Sequence, residues 1–431
     1  MAADRDTIDA GGCPGTLNPL DPIHVGLTTL LALAAVPLVS SVAYLLGLAS
    51  ASFFYRPGSA PGRPRSRLLV LIPAHNEAQL IGRCLESLLR QTYPARLFRI
   101  CVIADNCTDE TAARAARSGA EIMVRDQATA SGKGQALRWA LDRILSRVPM
   151  LDAIVVVDAD SVADVQLLRQ LEHQLVLGHE VVQGACVVRA ESGSPREDLQ
   201  AAAVALRLDV RFAGRAVLGM PAILAGNGML LSRRVLTQHP WNAFTAVEDA
   251  EYGLNLRLAG VKTAYARAAI VNTPAASTDR GAYTQSLRWE GGRFALMRAG
   301  LGSTLRAMLR TGDWTLLDMV VDLAIPPLGA LTVAAVVGTS LATVLVLGGV
   351  VSPWVVLLWA CSTVAIPVYV LAGLASARAP RSAYVALALA PLFLVRKARI
   401  YAGLARGFNV NQWVRTERSD ESRPGRLRPK A

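Results

Sequence analysis

The stretch Ile154-Val155-Val156-Val157-Asp158-Ala159-Asp160 decides the reading of the fold. Four consecutive apolar residues fit a strand buried on both faces, the habit of parallel sheets. Two carboxylates on alternate residues follow where that strand would end. The same pattern recurs on either side. Residues 68–72, 100–103 and 120–124 predict further buried strands. Between them lie segments of helical period. Residues 77–90 place Leu80, Ile81, Cys84, Leu85 and Leu88 on one face. Residues 108–117 form a second helix, which Thr108 or Asp109 could cap, and residues 134–146 a third. The alternation predicts an α/β domain over residues 66–280, with a mostly parallel sheet and helices on both faces. Ligands of such sheets bind outside the carboxyl ends of the strands. The polar clusters fall at those ends: Pro73-Ala74-His75-Asn76-Glu77, Asp105-Asn106 and Asp158-Ala159-Asp160.

The chain has 431 residues, 52% hydrophobic and 18% charged. That balance excludes a disordered protein and an ordinary soluble one. Residues 23–54 and 323–377 contain no Asp, Glu, Lys or Arg, and a span needs about 20 apolar residues. Asp4, Asp6, Asp9 and Asp21 precede the first block, and Arg56, Arg63, Arg65 and Arg67 follow it. The positive-inside bias then puts the N-terminus outside and the α/β domain in the cytoplasm. The expected layout is an extracytoplasmic segment (1–22), a span (23–55), the cytoplasmic domain (56–280) and interfacial helices (281–315). Two further spans (316–350 and 353–377), an interfacial or transmembrane helix (382–407) and a basic cytoplasmic tail (408–431) complete it. Net charge is +12, but the arginines flank spans rather than forming a stripe with interleaved aromatics, which argues against nucleic acid as a partner. The six cysteines have no paired CxxC spacing, so neither a zinc site nor a disulfide framework is expected.

Five short motifs carry chemistry, and each has an ordinary structural use as well. Asp158 and Asp160 can aim two carboxylates at one hard cation, although Asp at such turns also caps helices. Asp105 at a strand tip can accept from a base N–H, or serve a turn. Gly132-Lys133-Gly134 sets a lysine before a helix, a phosphate neighbour or a polar loop. Glu248-Asp249 opens a helix to residue 258 and offers a general base, yet acidic residues also suit the helix dipole there. In Gln285-Ser286-Leu287-Arg288-Trp289, the arginine can neutralise a diphosphate and the indole can stack on a sugar. Membrane interfaces favour the same residue types.

In this order, the five resemble the family 2 glycosyltransferases of the membrane-embedded type, such as cellulose, hyaluronan and poly-N-acetylglucosamine synthases. The resemblance covers residues 66–295 by motif. It implies a GT-A-type sheet embedded between transmembrane helices. It also implies a nucleotide-sugar donor, with a UDP-sugar foremost, and an Mg²⁺ or Mn²⁺ ion. Asp105, Lys133 and Asp158, with Pro73, His75 and Glu77, would bind the nucleotide-sugar. Asp160, with Asp158, would hold the metal, and Asp249 would be the catalytic base. Gly226, Asn227, Glu248, Gln285, Arg288 and Trp289 would meet the acceptor or the diphosphate. Val247 stands where such enzymes carry Thr. Ala104-Asp105-Asn106-Cys107 departs from the usual DDGS and leaves one carboxylate instead of two. The expected activity is inverting transfer to a growing β-linked polysaccharide, or alternatively of one sugar to a lipid-linked acceptor. A non-catalytic membrane scaffold subunit is the remaining alternative. The expected home is a bacterial inner membrane. A partner subunit or a homo-oligomer stays open.

Overall fold

The computed structural model describes residues 21–58, 62–127, 132–190, 193–275 and 279–392. The tail expected over residues 408–431 lies outside them, as do most of the N-terminal segment and residues 393–407.

The chain divides into two compact units. The larger, Gly47–Ile325 with the stretch from Leu371 onward, is built on one eight-stranded sheet. Its strands are β1 (Leu68–Ala74), β2 (Phe98–Asp105), β3 (Glu121–Arg125), β4 (Ala153–Val156), β5 (Val162–Ala163), β6 (Val181–Arg189), β7 (Met229–Ser232) and β8 (Thr263–Pro274). They lie in the order β3-β2-β1-β4-β7-β6-β8-β5. Strands β3, β2, β1 and β4 pair in parallel, as the apolar runs predict. Their alternate residues enter two separate cores. Leu68, Val70, Ile72 and Val155 join one, and Leu69, Leu71, Ile154 and Val156 the other. Each fully buried aliphatic side chain contributes about 1.5–3 kcal/mol, which is why the runs are continuous rather than alternating. Beyond β4 the sheet turns mixed. β7 runs antiparallel to both β4 and β6, whereas β8 is parallel to β6.

The helices α2 (Ile81–Leu89), α3 (Thr111–Arg117), α4 (Lys133–Arg147) and α5 (Leu167–Val176) connect the strands. Helices α2 and α3 start four and three residues later than expected. Residues 77–80 and 108–110 form turns that stitch the β1 and β2 tips together. Between β6 and β7, α6 (Pro195–Val204) passes through a π-turn (Ala205–Val210) into α7 (Arg211–Val217). After β7 come α8 (Arg233–Gln238) and α9 (Glu248–Leu258). One long helix, α10 (Asp279–Thr311), carries the Gln285–Trp289 signature.

The span expected over residues 316–350 is two helices, α11 (Thr315–Ala324) and α12 (Leu328–Leu347). Pro326 and Pro327 lack the N–H that would continue the ladder and push Ile325 into extended backbone. Asp318 and Asp322 of α11 are buried in ion pairs with Arg215 and Arg211 of α7. Residues 316–324 therefore belong to the larger unit.

The smaller unit comprises residues up to Leu46 and Pro326–Val370. It contains most of α1 (Pro22–Ser52), α12 and most of α13 (Trp354–Ser376). These three helices are long and apolar enough to cross a membrane. Within it, Gly338 lets the Trp359 ring lie against the α12 backbone, and Thr339 and Thr363 share a hydroxyl hydrogen bond of 2.9 Å. Small and hydroxyl residues at helix contacts suit a solvent as apolar as leucine. A last short apolar helix, α14 (Arg381–Ala386), packs on α6 in the larger unit, where Ser382 Oγ donates to Asp198 at 3.0 Å.

Candidate active site

Strand direction gathers the site. The carboxyl ends of β1, β2 and β4 point one way, and antiparallel β7 starts at that same end. Its entry loop, Gly226-Asn227-Gly228, therefore meets the tip of β4. Gly226 and Gly228 both have positive φ (76° and 63°), which glycine adopts without a Cβ penalty. Asn227 is 4% exposed and hydrogen-bonded throughout. Its Oδ1 accepts from the Asp158 backbone N–H at 3.1 Å, and its Nδ2 donates to Ser161 Oγ at 2.8 Å and to Thr273 Oγ1 at 3.1 Å. Ser161 Oγ in turn donates to Asp160 at 3.1 Å. The structure thus makes Asn227 a strut for the Asp158–Asp160 turn.

Lys133 opens α4, after Gly132 at φ 116°. Its Nζ donates to Asp158 Oδ1 at 2.5 Å and to the Gly226 carbonyl at 2.7 Å. Burial opposes its charge. Asp158, Glu248 and Asp249 outweigh that and hold the ammonium above its ordinary range. Asp249 lies against the same loop beside Lys133, since a Cβ added to Gly226 would stand 2.7 Å from Asp249 Oδ2 and 3.2 Å from Lys133 Nζ. Helix α9 begins at Glu248, as the sequence predicts. Burial, then Asp249, push the Glu248 carboxyl up to about 7. Burial also raises Asp249, against the pull of Lys133 and Arg207. A carboxyl raised towards neutrality beside a lysine is matched to proton transfer.

The β1 and β2 tips form a second cluster. His75 Nδ1 lies 2.7 Å from the Asp105 carbonyl. Asn76, at φ 54°, accepts from the Thr108 N–H at 2.8 Å, and the Glu77 N–H donates to Thr111 Oγ1 at 2.8 Å. Pro73 sits in register with Ile103 of β2. Asp105 is 5% exposed, and its Oδ1 is ion-paired with buried Arg125 of β3. Sequence reasoning missed Arg125, because an arginine ending an edge strand reads as a solvated charge.

The third cluster is on α10. Gln285 Oε1 accepts from Gln200 of α6 at 3.1 Å. Arg288 Nε is buried with no hydrogen-bond partner among the described residues. Trp289 lies under Arg207, whose guanidinium carbon is 5.6 Å from the ring centroid. Arg207 links this cluster to Asp249, whose charge acts on it together with that of Glu290. It too escaped the sequence reading.

No group of three or more His, Cys, Asp or Glu side chains converges on a metal site among the described residues. Asp158 and Asp160 supply two hard-oxygen carboxylates, and the Asp158 side chain is 35% exposed. Mg²⁺-type sites commonly take one or two carboxylates and complete their shell with substrate phosphates and water. The pair fits such an ion.

A GT-A-like sheet with carboxylates and a lysine at the strand tips defines a class, the nucleotide-sugar-type transferases. The family model Glycosyltransferase like family 2 matches residues 64–292, just over half of the chain. The chain belongs to that family. Among relatives, the beta-monoglucosyldiacylglycerol synthase of Nostoc sp. (strain PCC 7120) is 26% identical over 234 residues, 50% of this chain and 48% of its own. The enzyme of that name from Synechocystis sp. (strain PCC 6803) is 26% identical over 245 residues, 54% of this chain and 50% of its own. The chain thus spans about half the length of these relatives. Among solved structures, the mannosyltransferase PcManGT of Pyrobaculum calidifontis, in complex with GDP-Man and Mn²⁺, superposes with a TM-score of 0.52 at 17% identity. The match covers 80% of this chain and 98% of that one, and it supports the fold.

Proposed function

We propose that this chain transfers a single hexose from a nucleotide-sugar to a lipid acceptor at the membrane surface, with inversion at the anomeric carbon. The observation that carries the reading is the meeting of Lys133, Asp158, Gly226 and Asp249 at the carboxyl end of the sheet's central strands. Asp249 takes the proton of the acceptor hydroxyl. The hydroxyl oxygen bonds to the anomeric carbon as the bond from that carbon to the diphosphate oxygen breaks. The nucleoside diphosphate leaves with the bonding pair. Lys133 and Arg288 supply positive charge for it. An Mg²⁺ or Mn²⁺ ion held by Asp158 and Asp160 would act as a Lewis acid on the diphosphate. The β1 and β2 tips, from Pro73 to Glu77 and at Asp105, lie where the base and ribose would bind.

The lipid acceptor is favoured by the names of the relatives and by the helices that border the site. The α6–α7 run, which carries Arg207, packs on the ends of α1 and α13. A Cβ on Gly214 would stand 2.2 Å from the Leu48 carbonyl, and one on Gly373 2.3 Å from the Leu206 side chain. The polymer-building reading of the Gln285–Trp289 signature gives way here, because the relatives are named as beta-monoglucosyldiacylglycerol synthases and the described residues hold three helices long enough to span, few for a polymer channel. The proposed topology is N-terminus out, with the sheet in the cytoplasm of a bacterial inner membrane.

The test is a screen of UDP- and GDP-hexoses with diacylglycerol in mixed micelles, read by product mass. One added hexose is expected. A ladder of products would restore the polymer reading, and no transfer from any donor would overturn the proposal.

A further inference from the structure

Arg207 occupies the π-turn Ala205–Val210. Such turns add a residue to the helical ladder, re-aim the local side chains and are frequent at functional sites. From there the guanidinium reaches over Trp289 of α10. Asp249 of α9 and Glu290 of α10 are the carboxylates whose charges act on it. The helix run is fixed from several directions. Ser382 of α14 holds Asp198. Gln200 holds Gln285. Gly214 and Gly373 allow backbone-close contact with Leu48 and Leu206. On the next turn positions, Asp209 is committed elsewhere, to Tyr265 at 2.7 Å and Arg267 at 2.6 Å. Arg207 is thus a cation on a braced platform, seated over the indole and within the electrostatic reach of the base.

We propose that Arg207 is a positioning residue for the acceptor, which holds the base-bearing end of α9 and the Trp289 indole in one arrangement while the acceptor binds. The proposal rests on the reading of Asp249 as base and Trp289 as acceptor contact. A guanidinium suits the task, because its plane can stack on the indole while its N–H fork faces carboxylates.

The test uses the full chain in detergent, with the active donor from the screen above and diacylglycerol in mixed micelles. Cation–π contacts correspond to about 2- to 30-fold in an equilibrium or rate constant. Arg207→Met should lower kcat/KM for the acceptor by that factor and leave the donor KM unchanged. Arg207→Lys, which keeps charge but loses the planar stack, should recover part of the loss. In a double-mutant cycle with Trp289→Leu, the double variant should be little worse than the poorer single one. Independent, multiplying losses would overturn the proposal, as would a donor KM that rises in step with the acceptor effect. If Arg207→Met does not fold, Arg207→Lys carries the test, and native acceptor kinetics in it would overturn the proposal. Asp249→Asn separates the two readings. An inactive Asp249→Asn beside an unaltered Arg207→Met removes only the role of Arg207. An active Asp249→Asn removes the base assignment.

Discussion

Replacing Gly226 by alanine tests whether Lys133, Asp158 and Asp249 act as one site. Gly226 has φ 76°, a left-handed conformation that costs a residue with a Cβ about 1–2 kcal/mol. The new methyl would also stand 2.7 Å from Asp249 Oδ2 and 3.2 Å from Lys133 Nζ. Comfortable contacts for carbon lie at about 3.5–4.0 Å, so the carboxylate must retreat by the better part of an ångström. A misplacement of about 1 Å can cost about 10²-fold in rate. Gly219→Ala is the control. Its φ is 71°, but nothing lies within 4 Å of the added carbon. The two variants carry similar backbone strain, and only one intrudes on the site. Thermal unfolding in one detergent should therefore show similar losses of Tm. Hexose transfer should fall about 10²-fold in Gly226→Ala alone. Equal transfer rates in the two variants would refute the reasoning.

Asp160→Asn should remove most transfer while leaving Tm near the native value, and excess EDTA should do the same to the native chain. Full activity in EDTA would end the metal assignment. Arg125→Met leaves the buried Asp105 carboxylate without its ion-pair partner, a change that typically costs about 3–5 kcal/mol. A large drop in Tm is expected, and a drop no greater than that of Arg99→Met, whose ion pair is exposed, would show the pair to be inert. Glu248 holds its proton more tightly in the folded chain than in the unfolded one, since burial lifts it from 4.5 to about 7. Its contribution to stability is full below about 4.5 and is lost as pH rises through about 7. Glu248→Gln should flatten that fall in a series of Tm against pH, and parallel curves for the two proteins would contradict it.

The parallel half of the sheet was legible because β1, β2 and β4 are buried on both faces and leave unbroken apolar runs. The mixed half was not assigned. In β6, Gln183 and Gly184 interrupt the run, and they do so because Gln183 serves the Asn227 and Ala225 backbones. The positions of the candidate-site residues at strand and helix starts were legible through their punctuation: Lys133 between glycines, Glu248 opening α9, and Gly226 beside Asn227. The role of Asn227 was not, since a sequence does not tell a ligand contact from a strut. Arg125 and Arg207 were missed for the same reason. Each looks like a solvent-facing charge until the fold supplies Asp105 or Trp289. The break at Pro326-Pro327 was readable in principle. The long charge-free block that follows Asp322 hid it by suggesting one continuous span.

The larger unit begins at Gly47 and resumes at Leu371, inside helices that otherwise run through the membrane-type unit. Leu48 and Leu374 are buried there, Ser52 and Ser376 share a hydrogen bond of 2.6 Å, and Arg267 of β8 donates to the Ser376 carbonyl at 2.9 Å. A catalytic fragment cut to the family match, residues 64–292, would forfeit all of these. It would bare the Leu206, Val210 and Gly214 face of the helix that carries Arg207. Such a fragment should be sticky in solution and poor at engaging its acceptor, even with every carboxylate of the donor side intact. For this chain, the practical boundary of the enzyme runs through its long apolar helices rather than beside them.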